Sequence, residues 1–135
     1  MLAEEFIDPG LLKVQIVVTP LKKYPNSALE ASTLLCAAKQ NKGVAMHQRM
    51  HELALRDRKT LIAAADKLAV GKTFTPCLVS QETKDALAKQ AEMIAALNVT
   101  LIPAFFMNDE SIVGLPTYTE LRGWINAKLS SAPSA

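Results

Sequence analysis

Strand-forming sequence stands in two places, and this limits the folds open to the chain. Residues 11–20, LLKVQIVVTP, are rich in β-branched residues and stop at Pro20. That is the composition of a buried strand. The second place is residues 104–115, where AFFM and SIVGL flank the turn Asn108-Asp109-Glu110. Two short apolar runs this close, joined by turn residues, form an antiparallel hairpin. Gly114 and Pro116 close its second strand. An early strand, a long helical excursion, a hairpin and a last helix make an α/β layered domain.

The excursion reads as several helices. Ser27 and Glu30 have capping-box spacing at the head of NSALEASTLLCAAKQNKG. Leu29, Thr33, Cys36 and Ala37 share one face of that helix, with Leu34 and Leu35 beside it, and Asn41 and Gly43 break it. VAMHQRMHELALR follows, with Val44, Met46, Met50, Leu53 and Leu55 as candidate core positions. RKTLIAAADKLAVG is a third helical stretch, closed by Gly71, and KTFTPC is a loop or short extended piece. SQETKDALAKQAEMIAALN forms a helix capped by Ser80, with an apolar stripe of Leu87, Ala91, Ile94 and Leu97. After the hairpin, Thr117 and Glu120 form a second capping box. The last helix turns Leu121, Trp124, Ile125 and Leu129 inward, and SSAPSA is a tail. At the other end, LAEEFIDPG reads as the last turns of a helix stopped at Asp8-Pro9-Gly10.

The 135 residues suit one domain, spanning residues 1–135. Fifteen basic residues against 13 acidic ones give a net charge of +2, with no clustered basic face to argue for nucleic acid. No apolar run reaches the ~18 residues that argue for a membrane span. The start, MLAEEFIDPG, has neither a basic region nor a long apolar one. A cytoplasmic location follows for the sequence as written, or a periplasmic one if a leader has been removed.

Few residues carry the patterns of site chemistry. His47 and His51 are four apart on one helix face, but Gln follows His47 and no third ligand is evident, so no metal site is expected. VGKT at 70–73 lacks the upstream glycine of a phosphate loop, no serine stands in a nucleophile elbow, and no cofactor is implied. Cys36 and Cys77 stand 41 positions apart, which is neither redox-motif nor zinc spacing. On their own they read as two separate buried thiols. Pro103 precedes an apolar strand, where its missing N–H is tolerated. Taken alone it is an ordinary trans proline, because only ~5–6% of X–Pro bonds are cis.

Three stretches together resemble a known family. They are VQIVVTPLKKYPNSALEASTLLCAAKQNKG (14–43), SQETKDALAKQAEMIAAL (80–97) and LNVTLIPAFFMNDESIVGLPTYTELRGWI (97–125). They resemble the second core strand and following helix, the helix before the proline loop, and the proline loop, hairpin and last helix of the thioredoxin-fold catalytic domains of periplasmic disulfide isomerases, the DsbC and DsbG type. The likeness covers most of residues 8–128. It implies an incomplete thioredoxin-like α/β fold with a helical insertion at about residues 27–97. It also implies a cis Pro103, which would shape a groove where the backbone of Ile102, with Thr100 beside it, pairs with an extended polypeptide. A disulfide between Cys36 and Cys77 follows from the resemblance too, since these domains pair a cysteine of the equivalent helix with one in a following loop.

One departure bears on function. The family carries Cys-x-x-Cys at the start of its first helix, where a thiolate is stabilised and resolved by its neighbour. This sequence has no Cys-x-x-Cys, and LAEEFIDPG aligns with the last turns of that helix. Three functions stay open. The first is a non-catalytic module binding a polypeptide or protein partner at the Pro103 face. The second is a thiol-disulfide oxidoreductase or isomerase whose redox motif lies upstream. The third is a structural or assembly protein. The strand between the Val14–Val18 run and the hairpin is also missing. Those two edges then either pair with each other in a three-stranded sheet or are completed by a second copy; a homodimer is expected.

Overall fold

A computed structural model describes residues 2–131. The chain divides into two compact units, one of Met1–Ile16 with Leu97–Ala135 and the other of Val17–Ala96.

The Val17–Ala96 unit is helical: α1 (Ser27–Ala38), α2 (Gly43–His51), α3 (Arg58–Lys67), the single turn α4 (Phe74–Cys77) and α5 (Gln81–Ala96). Helix α1 is its centre and packs on each of the other four. It can do so because its buried face is made of small residues, among them Ala31, Ser32, Thr33, Cys36 and Ala37. Met46, Leu61, Ala65 and Phe74 close the core around it, each at most 1% exposed. Asn41 takes a left-handed φ of 58° to end α1. Gly43 then lets α2 start close by, since a Cβ there would lie 3.0 Å from that of Ala38.

Several local expectations change in this unit. The Ser27–Glu30 capping box does not form, because Ser27 Oγ instead accepts the Leu21 N–H at 2.8 Å. Glu30 pairs with Arg56 at 3.3 Å. Val44 and Leu55 are exposed, at 69% and 58%. Val44 lies across α2 from the buried Met46 and Met50, and Leu55 falls beyond the end of the helix. KTFTPC holds a helical turn, which tolerates Pro76 because a first-turn residue has no intrahelical N–H bond to lose. The stripe on α5 is only partly covered: Leu87 and Ile94 are half-buried, while Ala91 and Leu97 are exposed. Its main helical neighbour is α1 alone, which shields a narrower face than two neighbours would.

The other unit begins with a π-helical segment, Ala3–Ile7, whose Phe6 is buried. Gly10, at φ 78°, turns the chain, and the N–H groups of Leu11 and Leu12 both donate to Phe6 O at 2.9 Å. The hairpin follows as β1 (Ala104–Met107) and β2 (Glu110–Val113), in the register Ala104↔Val113 to Met107↔Glu110. Asn108, at φ 54°, supplies the left-handed turn residue. Glu110 therefore belongs to the strand rather than the turn. Helix α6 (Tyr118–Ser131) completes the unit, with Ile125 buried and Trp124 half-buried. Its capping box forms in both directions: Thr117 N–H donates to Glu120 Oε2 at 2.7 Å and Glu120 N–H to Thr117 Oγ1 at 3.2 Å.

The sheet differs most from expectation. It has two strands, β1 and β2, among the described residues. Residues 11–20 form neither a buried strand nor the third strand of a sheet. Val14 and Ile16 are each 54% exposed, and no backbone group from Lys13 to Val17 is bonded to a described residue. Val18 N–H reaches only the side chain of Gln90, at 2.7 Å. A β-branched run extends readily, but it is buried only where a neighbouring strand takes up its backbone groups.

Candidate functional site

The proline loop is built by the end of α5 and the start of β1. Asn98, at φ 52°, ends the helix, and the chain passes through Thr100, Leu101 and Ile102 to Pro103. All four residues from Thr100 to Pro103 are exposed. The Ile102–Pro103 peptide bond is cis. Pro103 O accepts the Gly114 N–H at 2.8 Å, which carries the hairpin ladder one step beyond Ala104↔Val113. Gly114 has a φ of 101°, a conformation open to glycine and little else.

That bond holds Val113–Leu115 against the proline loop. Leu101, Ile102, Val113 and Leu115 are 67%, 54%, 57% and 85% exposed, so the two loops form an uncovered apolar ridge. Beside it Ile112, Val113, Leu115, Pro116 and Glu120 line a shallow hollow of about 400 Å³. The backbones of Thr100, Leu101 and Ile102 make no hydrogen bond to a described residue. An extended chain laid here would find free backbone partners and apolar side-chain contacts, the requirements of strand addition. Thr100, Ile102 and Pro103 are the residues the sequence singles out for this face. Leu101, Val113 and Leu115 were not, and the signal for them was Gly114 in the VGLP turn.

The hairpin and α6 are tied by charge. Lys128 Nζ lies 2.9 Å from Asp109 Oδ1 and 2.7 Å from Glu110 Oε1, while Trp124 Nε1 donates to Glu110 Oε2 at 2.7 Å. Lys128 first, then Trp124, holds the Glu110 carboxyl below its ordinary pKa. Hydrogen bonds from Tyr118 and Arg122 do the same for Glu5.

Cys36 and Cys77 are joined in a disulfide, with Cα atoms 5.9 Å apart. The bond links α1 to α4. Thr83 Oγ1 lies 3.3 Å from Cys77 Sγ and 3.6 Å from Cys36 Sγ, and Ser80 Oγ donates to it at 3.0 Å. Cys36 is wholly buried. Cys77 is half-buried, so the bond braces α1 against α4 from a partly accessible position. A groove of about 320 Å³ is lined by the two cysteines themselves with Lys39, Gln40, Thr73 and Pro76, and Lys39 and Glu82 are paired at 2.9 Å.

His47 and His51 meet edge to face, ring centroids 4.7 Å apart. Burial, and then the neighbouring His51, push the His47 pKa down. Among the described residues no His, Cys, Asp and Glu group fits a metal, and no helix is long and apolar enough to cross a membrane.

A family model described as thioredoxin matches residues 1–127. A solved structure, a thioredoxin-like oxidoreductase from Silicibacter pomeroyi DSS-3, matches with a TM-score of 0.73 at 16% identity. The match covers 86% of this chain and 68% of that one. At this identity the likeness shows the fold. No curated protein matches the chain in sequence.

Proposed function

The chain belongs to the thioredoxin family, and from that premise we propose that it is a non-catalytic, disulfide-isomerase-like module that binds extended polypeptide at its proline-loop face. The observation that carries this reading is the uncovered ridge of Leu101, Ile102, Val113 and Leu115 beside loop backbone with no internal partner. Apolar side chains give affinity without demanding one sequence, and free backbone groups bind any extended chain. The kinship to DsbC and DsbG rests on the three stretches quoted above. Lack of catalysis rests on the cysteines: they stand 41 positions apart, are joined to each other, and form no Cys-x-x-Cys.

The test is binding of a reduced, alkylated, unfolded polypeptide, followed by fluorescence anisotropy. Leu115→Asp and Ile102→Asp should each weaken it about tenfold, the loss of ~1.4 kcal/mol of contact. Binding that is absent, or indifferent to both changes, would sink the reading.

A second reading is favoured by the oxidoreductase among the solved structures: a thiol-disulfide oxidoreductase working with a redox cysteine pair outside these 135 residues. Insulin reduction separates the two when it is run on a longer chain that carries such a pair, where the second reading expects turnover. Turnover above background by this chain alone would defeat the non-catalytic reading.

A further inference from the structure

The hollow beside the ridge has apolar walls and a charged rim. Ile112, Val113, Leu115 and Pro116 form the walls, and Glu120 is the charged residue among those that line it. Its carboxylate is held from one side. Oε2 accepts the Thr117 N–H at 2.7 Å and the Thr117 hydroxyl at 2.8 Å, while Oε1 accepts no hydrogen bond from a described residue. Among the described residues no lysine or arginine forms an ion pair with it. The two cations of its own helix are taken elsewhere, Arg122 by Glu5 and Lys128 by Asp109 and Glu110. The backbone and then the side-chain hydrogen bond from Thr117 hold the Glu120 pKa below its ordinary value, so the group is ionised at neutral pH. A charge that is oriented, ionised and without a counter-charge stands at the rim of an apolar hollow.

We propose that this face selects extended segments in which a basic residue follows or precedes an apolar one at a spacing of two: the apolar side chain packs on Val113 and Leu115 while the lysine or arginine reaches Glu120 Oε1. Walls and carboxylate belong to one hollow, so both side chains come from one face of the bound segment. In an extended chain, neighbours on one face are two residues, or about 7 Å, apart. The apolar contact supplies most of the affinity, and the exposed ion pair acts as a filter. An acidic residue at the same place meets an unpaired carboxylate and is rejected. The sign of the preference identifies its source. The chain carries a net charge of +2, so attraction by the molecule as a whole favours acidic peptides, and a preference for basic ones has a local origin. This inference rests on the polypeptide-binding reading and adds to it the class of segment that is taken.

Fluorescence anisotropy on the full chain at low salt tests this with three end-blocked peptides, Leu-Thr-Lys-Thr-Leu and the same peptide with glutamine or glutamate in place of lysine. A leucine on each side of the variable residue serves either chain direction. The lysine peptide should bind about threefold tighter than the glutamine peptide, the range of one exposed ion pair, and the glutamate peptide weakest of all. The differences should shrink in about 0.5 M salt. Glu120→Gln keeps the capping geometry and removes the charge, so it should make the three peptides bind alike. Asp8→Asn removes an exposed carboxylate of the same unit that does not line the hollow, and should leave the order unchanged. Circular dichroism and Trp124 fluorescence report that each variant is folded. Equal binding of the three peptides by the native chain overturns the inference and leaves the polypeptide-binding reading standing. So does a lysine preference that survives Glu120→Gln, or one that Asp8→Asn abolishes as fully. If the unfolded polypeptide binds and none of the three peptides does, the inference alone falls; if neither binds, both fall.

Discussion

Thr33 is wholly buried on the central helix, and its Oγ1 has no hydrogen-bond partner. A buried hydroxyl without a partner costs about 1–3 kcal/mol in lost hydration. Thr33→Val keeps the branched shape and removes that cost, so the variant should gain about 1 kcal/mol, read as a higher urea midpoint at unchanged slope. A loss of stability would show that the hydroxyl has a partner. Within one turn of it on the same helix, the Cys36–Cys77 bond should act in the opposite sense. It closes a loop across a separation of 41 residues. Restricting the unfolded chain over that span contributes about 4 kcal/mol on the chain-entropy view. Cys77→Ser, or reduction of the native chain, should lower stability by roughly that amount, and a change below about 1 kcal/mol would contradict it. Neither effect could be read from the sequence by spacing. The pairing was visible only through a family resemblance, and the orphaned hydroxyl only through the packing of four helices on α1.

Legibility was better for elements than for their neighbours. The helices of the excursion, the hairpin and the last helix could be read from periodicity, turn residues and stops, because those signals are local. Apart from the turn α4 and the early end of α2, the failures concern partners. Ser27 and Glu30 have the spacing of a cap, but the Leu21 N–H and Arg56 compete for them and win. Thr117 and Glu120 have the same spacing with no such competitor, and their cap forms. Thr117→Ala should therefore cost about 1 kcal/mol, whereas Ser27→Ala should act through the Leu21 loop rather than through α1. Amide exchange distinguishes the two: faster exchange in the first turn of α6 for Thr117→Ala, and faster exchange at Leu21 for Ser27→Ala. The run at residues 11–20 failed for the same reason at larger scale. Its β-branched residues favour an extended conformation, but a strand exists only with a neighbour, and composition does not reveal whether one is present. The candidate site shows the same limit. Thr100, Ile102 and Pro103 follow one another in sequence, but Val113 and Leu115 join them through the Gly114–Pro103 hydrogen bond.

At the scale of the whole molecule, the two compact units draw on different chemistry, and different perturbations should find them. The disulfide lies within Val17–Ala96, together with five of the six α-helices among the described residues. The carboxylates Glu5, Asp109, Glu110 and Glu120 all lie in the other unit, and their pKa values are all held below ordinary. Hydrogen bonds from Tyr118 and Arg122 lower Glu5, those from Lys128 lower Asp109 and Glu110, and the Thr117 cap lowers Glu120. A carboxylate with a depressed folded-state pKa stabilises the fold above its ordinary titration range, and that stabilisation is lost as pH falls through the folded value. The helical unit has one such carboxylate, Asp57, lowered by its hydrogen bonds from Thr60, against these four, so acid should loosen the unit of Glu5 and Glu110 first. Trp124 is the chain's one tryptophan and donates to Glu110, so its fluorescence reports on that unit. Far-UV circular dichroism reports mainly on the helical unit. On acidification, the Trp124 signal should change at higher pH than the helical signal, and Glu110→Gln should flatten its acid dependence. Under reduction at neutral pH the order should reverse, with the helical signal moving toward lower urea while Trp124 lags. Coincident curves under both treatments would mean that the chain unfolds as one cooperative body, whatever the chemistry within each unit.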